Sequence, residues 1–252
     1  MEKLYQKTQP MKRKNIERTV MNTEKPMKAA QFAEHQLLSA IIEGRFKPGT
    51  ILPGERTLAG MIGVTRPTLR ETLQKMARDG WISIRHGKPT QVKDYMTEGG
   101  MGILATMARF GEHLPLGFVE HFLSVRCVVL PPVSRMAVEH HPAELENLLA
   151  QGGRLTDGPM AYTEYDWTLQ LTMASLSGNP FFRIFLNDFD GLYRKMGEGY
   201  FASDEARALS RAYYAELKAL VAQRDGDAVE RRVSRVMNDA LQLWKRLKKE
   251  ER

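Results

Sequence analysis

Apolar residues recur at helical spacing along most of the chain and alternate at strand spacing in one place only. Phe32, Ala33, Leu37, Ala40 and Ile41 fall on one face, which predicts an amphipathic helix beginning near Ala29. Gly44 and Pro48-Gly49 end it and turn the chain. Leu58, Ala59 and Ile62 mark the inward face of a short second helix over 55–62, stopped by Gly63, with Val64 as a small apolar plug. Thr65 is placed to cap a third helix, because its hydroxyl can accept a hydrogen bond from a free backbone N–H. Pro67 is tolerated in the first turn, where its missing N–H has no partner to lose. Leu69, Leu73 and Met76 form the buried stripe, and Gly80 ends the helix. Residues 81–85 and 90–93 then alternate like strands around the turn His86-Gly87-Lys88-Pro89.

After a polar, glycine-containing linker at 95–101 no strand pattern returns. Segments near 101–110, 115–140, 142–155, 160–176, 180–197, 204–223 and 226–249 read as about seven helices. Pro131-Pro132 should kink or break the second of these, and Gly178-Asn179-Pro180 is a stop and restart. The fold class is therefore mainly α. A winged helix-turn-helix with a small β-hairpin occupies 29–94, and an all-α bundle occupies 102–252. Residues 1–28 have few apolar side chains and no periodicity, and read as a disordered basic tail.

Helix, short helix, tight turn, helix and hairpin is the order of the winged helix-turn-helix. In that motif the third helix enters the major groove by its N-terminal end. That end carries Thr65, Arg66, Thr68 and Arg70, with Arg66 and Arg70 four residues apart on one face. An arginine can donate two hydrogen bonds to guanine, worth about 1–3 kcal/mol of discrimination. Arg56, at the start of the second helix, is placed to meet a phosphate, and the wing tip His86-Gly87-Lys88 suits a minor-groove or phosphate contact. Each residue alone would be an ordinary solvated side chain, so the ordered set carries the inference.

Charge sharpens this picture. Of 252 residues with a net charge of +7, residues 1–28 hold eight basic and three acidic side chains. Residues 29–94 hold ten and six, and residues 95–252 nineteen and twenty-one. A basic N-terminal third points to a polyanionic partner. The single cysteine, Cys127, excludes an internal disulfide framework and fits a reducing, cytoplasmic setting. No apolar run approaches the roughly 18 residues of a membrane helix, so no membrane association is expected. No glycine-rich phosphate loop and no Ser/His/Asp elbow is present, so an enzyme is not expected.

The helical part offers a candidate ligand site. Seven of the eighteen Phe and Tyr residues fall between Phe181 and Phe201. Phe182, Phe185, Phe189 and Tyr193 would line one stripe, which is either plain core or the wall of an apolar cavity with a tyrosine at its polar end. Arg126 lies in an apolar run and, if buried, needs an acidic neighbour or a ligand oxygen. Arg231, Arg232 and Arg235 are either a solvated face or contacts for ligand phosphates.

The run ILPGERTLAGMIGVTRPTLRETLQKMARDGWISIRHGKPT resembles the GntR-type regulators. SLSGNPFFRIFLNDFDGLYRKMGEGYFASDEARAL and the late tryptophan in LQLWKR resemble the fatty-acid-responsive FadR subfamily, so the likeness covers about 29–249. The resemblance implies a cytoplasmic homodimer that binds palindromic double-stranded operator DNA. It would repress fatty acid degradation genes, activate unsaturated fatty acid synthesis genes, and leave the DNA when long-chain acyl-CoA enters the helical domain. It places Arg56, Thr65, Arg66, Thr68, Arg70, His86, Gly87 and Lys88 on DNA-contact positions. It links Arg126, Tyr193, Tyr200 and Trp244 to the acyl-CoA response, and Phe189 joins them through the aromatic stripe. Pro67 departs from the usual threonine, and Met237 and Ala240 replace glycine and serine. The alternative is a GntR-type regulator of a different small organic acid. Many such relatives hold a metal with an Asp-x₃-His pair and two further histidines. Here Asp166 is followed by Gln170, and Tyr214 and Asn238 stand at the other positions, so no metal and no cofactor are expected.

Overall fold

The computed structural model describes residues 28–109, 117–152 and 155–250. The basic tail, apart from Lys28, and the segment 110–116 lie outside the described residues.

The N-terminal part is built as the apolar pattern requires, around its own core. Helices α1 (Ala29–Ile42), α2 (Glu55–Ile62) and α3 (Arg66–Asp79) pack Leu37, Leu38, Leu58, Leu69, Leu73 and Met76 together. Gly63 ends α2 in the left-handed region (φ +84°), a conformation a side chain would strain, and so permits the tight turn into α3. Phe32 departs from the expected buried face: it is 39% exposed, and Leu38 takes its place. The wing is shorter than the alternating pattern suggested. Strands β1 (Ile82–Ser83) and β2 (Gln91–Val92) pair antiparallel, Ile82 opposite Val92, and Ile51 adds a bridge to Gln91. Only Trp81, Ile82 and Val92 find core to pack against; residues 84–89 project beyond it and are exposed.

The expected linker is partly ordered. Helix α4 (Tyr95–Glu98) is a single turn capped by Asp94, whose side chain accepts from Met96 N at 3.2 Å. Helix α5 (Met101–Arg109) then joins the two cores: Ile103 and Met107 belong to the first, Ala108 to the second. It is fastened to the end of α3, with Thr106 Oγ1 donating to Asp79 Oδ2 at 3.3 Å.

The second core is wholly helical, formed by α6 (Phe118–His140), α7 (Pro142–Gly152), α8 (Pro159–Leu176), α9 (Pro180–Asn187), α10 (Asp190–Phe201), α11 (Asp204–Ala222) and α12 (Gly226–Glu250). Two expectations change. The segment 180–197 is two helices meeting at Asp188-Phe189, so among the described residues eight helices follow the linker. Helix α6 runs unbroken through Pro131-Pro132. Its long packing partner α12 lies against it, Pro131 is buried, and the Pro131 carbonyl accepts from Ser134 Oγ at 2.6 Å. Packing along the whole helix outweighs the lost backbone bonds. Helix α8 buries residues on every side, the mark of a central helix.

Candidate nucleic-acid interface and ligand cavity

The first site is an exposed surface. Thr65 begins α3 by accepting from Thr68 N at 3.3 Å, and its hydroxyl lies 2.8 Å from that of Thr68. One of the two hydroxyl protons is spent between them, which leaves the other available as a donor. Arg56, Arg66 and Arg70 are exposed, and Arg66, Arg70 and Gln74 share one stripe of α3. Gln74 is an addition to the expected face, and its spacing from Arg70 repeats that of Arg70 from Arg66. Arg70 Nε stands 4.0 Å from Glu55 Oε1, an exposed pair too weak to hold the guanidinium away from a partner. Thr72 ties α3 to α1 by donating to Ala30 O at 3.3 Å, so the reading face is backed by a fixed helix. At the wing tip His86, Gly87 and Lys88 are exposed, and Gly87 has φ +70°.

The second site is buried. A cavity of about 30 Å³ lies among α6, α8, α10, α11 and α12. Leu123, Met196, Phe201, Val236, Ala240 and Trp244 make its apolar wall, and Arg126, Asp166, Tyr193, Tyr200, Ser210 and Tyr213 its polar end. Of the five expected ligand residues, Arg126, Tyr193, Tyr200 and Trp244 reach the cavity and Phe189 does not. Phe189 stacks on Phe122 at 4.4 Å between ring centres, because the stripe 182–193 bends at the corner between α9 and α10.

Arg126 is only 5% exposed. Its Nε donates to Gln170 Oε1 at 3.1 Å, its Nη2 donates to Met237 Sδ at 3.4 Å, and it lies 5.0 Å over the Tyr193 ring. Gln170 passes the polarity on: its Nε2 donates to Asp166 Oδ2 at 2.5 Å. Tyr193 also donates to Asp166 Oδ2, and Tyr214 donates to Oδ1 at 2.8 Å. The cation and the carboxylate are thus linked through an amide. Gly197 makes this possible, because a Cβ there would fall 2.6 Å from Thr163 Cγ2 and push α10 off α8. Burial, and then the Asp166 charge, push the hydroxyls of Tyr193, Tyr200, Tyr213 and Tyr214 well above the usual tyrosine range, so they remain donors. The hydroxyls of Tyr200 and Tyr213 are buried without a partner among the described residues.

Among the described residues no cluster of three His, Cys, Asp or Glu is placed to hold a metal. Tyr214 and Gln170 do meet Asp166, but Asn238 is exposed and donates back to Ser234 O at 2.8 Å, so it does not join them. Arg232 is no solvated residue: it pairs with Glu216 and lies 5.4 Å over the Tyr213 ring, whereas Arg231 and Arg235 are exposed. Asp166, Ser210 and Tyr213 were not expected at a ligand site. The signal for Asp166 was present, as it is the lone charge in the run YDWTLQLTMASLS.

An exposed helix-turn-helix with a wing, joined to a helical domain that encloses a small lined cavity, is the architecture of a ligand-responsive DNA-binding regulator. Residues 29–92 match the bacterial regulatory proteins of the gntR family, and residues 93–251 match the FadR C-terminal domain. The fatty acid metabolism regulator proteins of Escherichia coli O1:K1 and Shigella boydii serotype 18 are each 40% identical over 225 residues, covering 89% of this chain and 94% of theirs. The solved structure of Lar, which controls expression of the Listeria monocytogenes agr system, shares the fold at 18% identity and a TM-score of 0.52, over 86% of this chain and 96% of its own. The chain belongs to the GntR family and, within it, to the fatty acid metabolism regulators of the FadR type; it is a transcription regulator and not an enzyme. No helix among the described residues is long and apolar enough to cross a membrane.

Proposed function

We propose that the chain acts as a homodimer on palindromic operator DNA and releases it when long-chain acyl-CoA enters the helical domain. In this reading it represses fatty acid degradation genes and activates unsaturated fatty acid synthesis genes. Arg66, Arg70 and Thr68 face bases and phosphates in the major groove, Arg56 and Thr65 meet phosphates, and His86, Gly87 and Lys88 meet the minor groove or its rim. Arg126, Tyr193, Tyr200 and Trp244 receive the effector.

The observation that supports the effector most is the polar end of the cavity. Arg126, Tyr200 and Tyr213 all offer hydrogen-bond donors there, and the rest of the wall is largely apolar. That combination suits an acyl chain ending in an acceptor. The Arg126 cation and the Asp166 carboxylate balance, so a neutral thioester carbonyl adds no uncompensated charge to the interior, whereas a free carboxylate does. This favours an acyl thioester over a small organic acid. An acyl chain needs several hundred cubic ångström, so in this reading the helices around the 30 Å³ cavity must part to admit it. Each methylene buried on opening contributes about 0.8 kcal/mol, enough over a long chain to move a two-state domain. Helix α5, packed on both α3 and α10, is the route by which movement of α10 would reposition the reading helix.

The test is fluorescence anisotropy of a labelled palindromic operator at fixed 100–150 mM salt, roughly physiological because affinity depends steeply on salt. Oleoyl-CoA should reverse binding, and oleate and free CoA should not. Release by oleate alone would sink the charge-balance argument; no release by any long-chain acyl-CoA would sink the effector assignment.

A further inference from the structure

We infer that Met237 is a displaceable plug that holds the place of the effector's carbonyl oxygen and thereby sets how much effector is needed. The inference rests on the acyl-thioester reading above. The Met237 side chain is 6% exposed and borders the cavity, with its sulfur on Arg126 Nη2 at 3.4 Å. A thioether is a weak acceptor. A buried guanidinium satisfied by sulfur would gain by exchanging it for an oxygen, since hydrogen bonds from charged donors to good acceptors are the strong ones.

The position of the side chain agrees with such a role. Ala240, one turn further along α12, also borders the cavity, as does Trp244, so these three line one edge of it. Ala240 leaves its part of that edge open, and Met237 fills its part. Arg126 itself is held by its relay through Gln170 to Asp166, which cannot move without breaking buried bonds. Methionine is unbranched and turns about three bonds. Swinging it aside as the domain opens uncovers the Arg126 N–H for an effector oxygen. In the free protein the same contact screens a buried cation and keeps the cavity closed, so Met237 biases the domain toward the form that holds DNA.

The experiment compares full-length protein with Met237→Ala and Met237→Leu. Operator release is titrated with oleoyl-CoA, direct binding is measured by calorimetry, and folding is checked by thermal melting. Alanine removes both volume and sulfur, so half-release should come at an effector concentration at least ten-fold lower. Leucine keeps the volume and removes the acceptor, so its half-release should fall between the other two. If alanine proves unfolded, leucine alone decides, and half-release at the unaltered concentration overturns the inference. An unchanged or higher requirement in a folded alanine variant overturns it while leaving the acyl-CoA reading intact. Release of the variant where the unaltered protein does not respond supports the plug outright. Release of neither removes the reading and the plug together.

Discussion

The exposed face of α3 proposed to read DNA and the cavity beneath α10 proposed to receive the effector would bind by opposite physics. On α3 the groups that matter are exposed and held by little beyond helix geometry; the ion pair of Arg70 with Glu55 is long and solvated. In the cavity every charged group is already engaged, and the space left is about 30 Å³. The first surface can meet its partner without rearrangement, so its energetics are set by the bonds it forms with DNA. The second must exchange internal bonds for ligand bonds, so its energetics are set by what the closed form loses. Substitutions on α3 should therefore change affinity and leave stability alone, and substitutions in the cavity should change both.

The largest effect of a single substitution should come from Arg126→Ala. It leaves the Asp166 carboxylate buried opposite an unanswered Gln170 amide and removes the donor proposed for the effector. Breaking a buried charge pair costs about 3–5 kcal/mol. Because an amide lies between these two charges, the lower end applies. Chemical denaturation should show that loss, and operator release by acyl-CoA should vanish. Full stability would break the contrast between the two sites.

Alkaline pH separates the halves without a substitution. Tyr193 and Tyr214 are raised well above the usual tyrosine range by burial first and the Asp166 charge second, and Tyr165 is raised to about 12 for the same reasons. Residues 28–94 contain no tyrosine. In the unfolded chain these hydroxyls ionise near pH 10 while the folded ones keep their protons. Their stabilisation is therefore complete below pH 10 and lost as pH rises above it. Each fully buried hydroxyl contributes a slope of about 1.4 kcal/mol per pH unit. Between pH 10 and 12 the helical half should melt progressively lower in calorimetry. A helical half insensitive to this range would refute the buried network around Asp166.

The two regions were also unequally legible in the sequence. The bounds of α2, the Thr65 cap and the exposed Arg66–Arg70 face follow from local chemistry: a glycine stop, a threonine hydroxyl and a four-residue spacing. The corner at Asp188-Phe189 carries no glycine or proline. It exists because Phe189 stacks on Phe122 and Asp190 Oδ1 accepts from Trp167 Nε1 at 2.7 Å, both contacts between distant segments. The same holds for Tyr213 and Gln170, whose meeting with the Arg126 environment depends on how α8 and α11 pack. Likewise α6 survives Pro131-Pro132 through its contact with α12, which no local rule reports. Sequence showed which residue types were present around the cavity, and tertiary packing decided which of them share it.

The smallest effects sharpen the contrast within the DNA-reading face itself. Arg66→Ala should cost about 1–3 kcal/mol against the preferred operator and less against altered bases, because a lost bidentate contact to a base edge carries discrimination. Lys88→Ala, at an exposed wing tip, should behave differently. A phosphate contact releases counterions irrespective of sequence, so its loss should lower the salt slope of binding by about one and leave base preference unchanged. Anisotropy titrations at several salt concentrations, on the preferred operator and on a variant altered in one half-site, separate the two. A changed base preference in Lys88→Ala would move the wing from positioning the protein on the backbone to reading the sequence. An unchanged salt slope would take Lys88 off the DNA altogether.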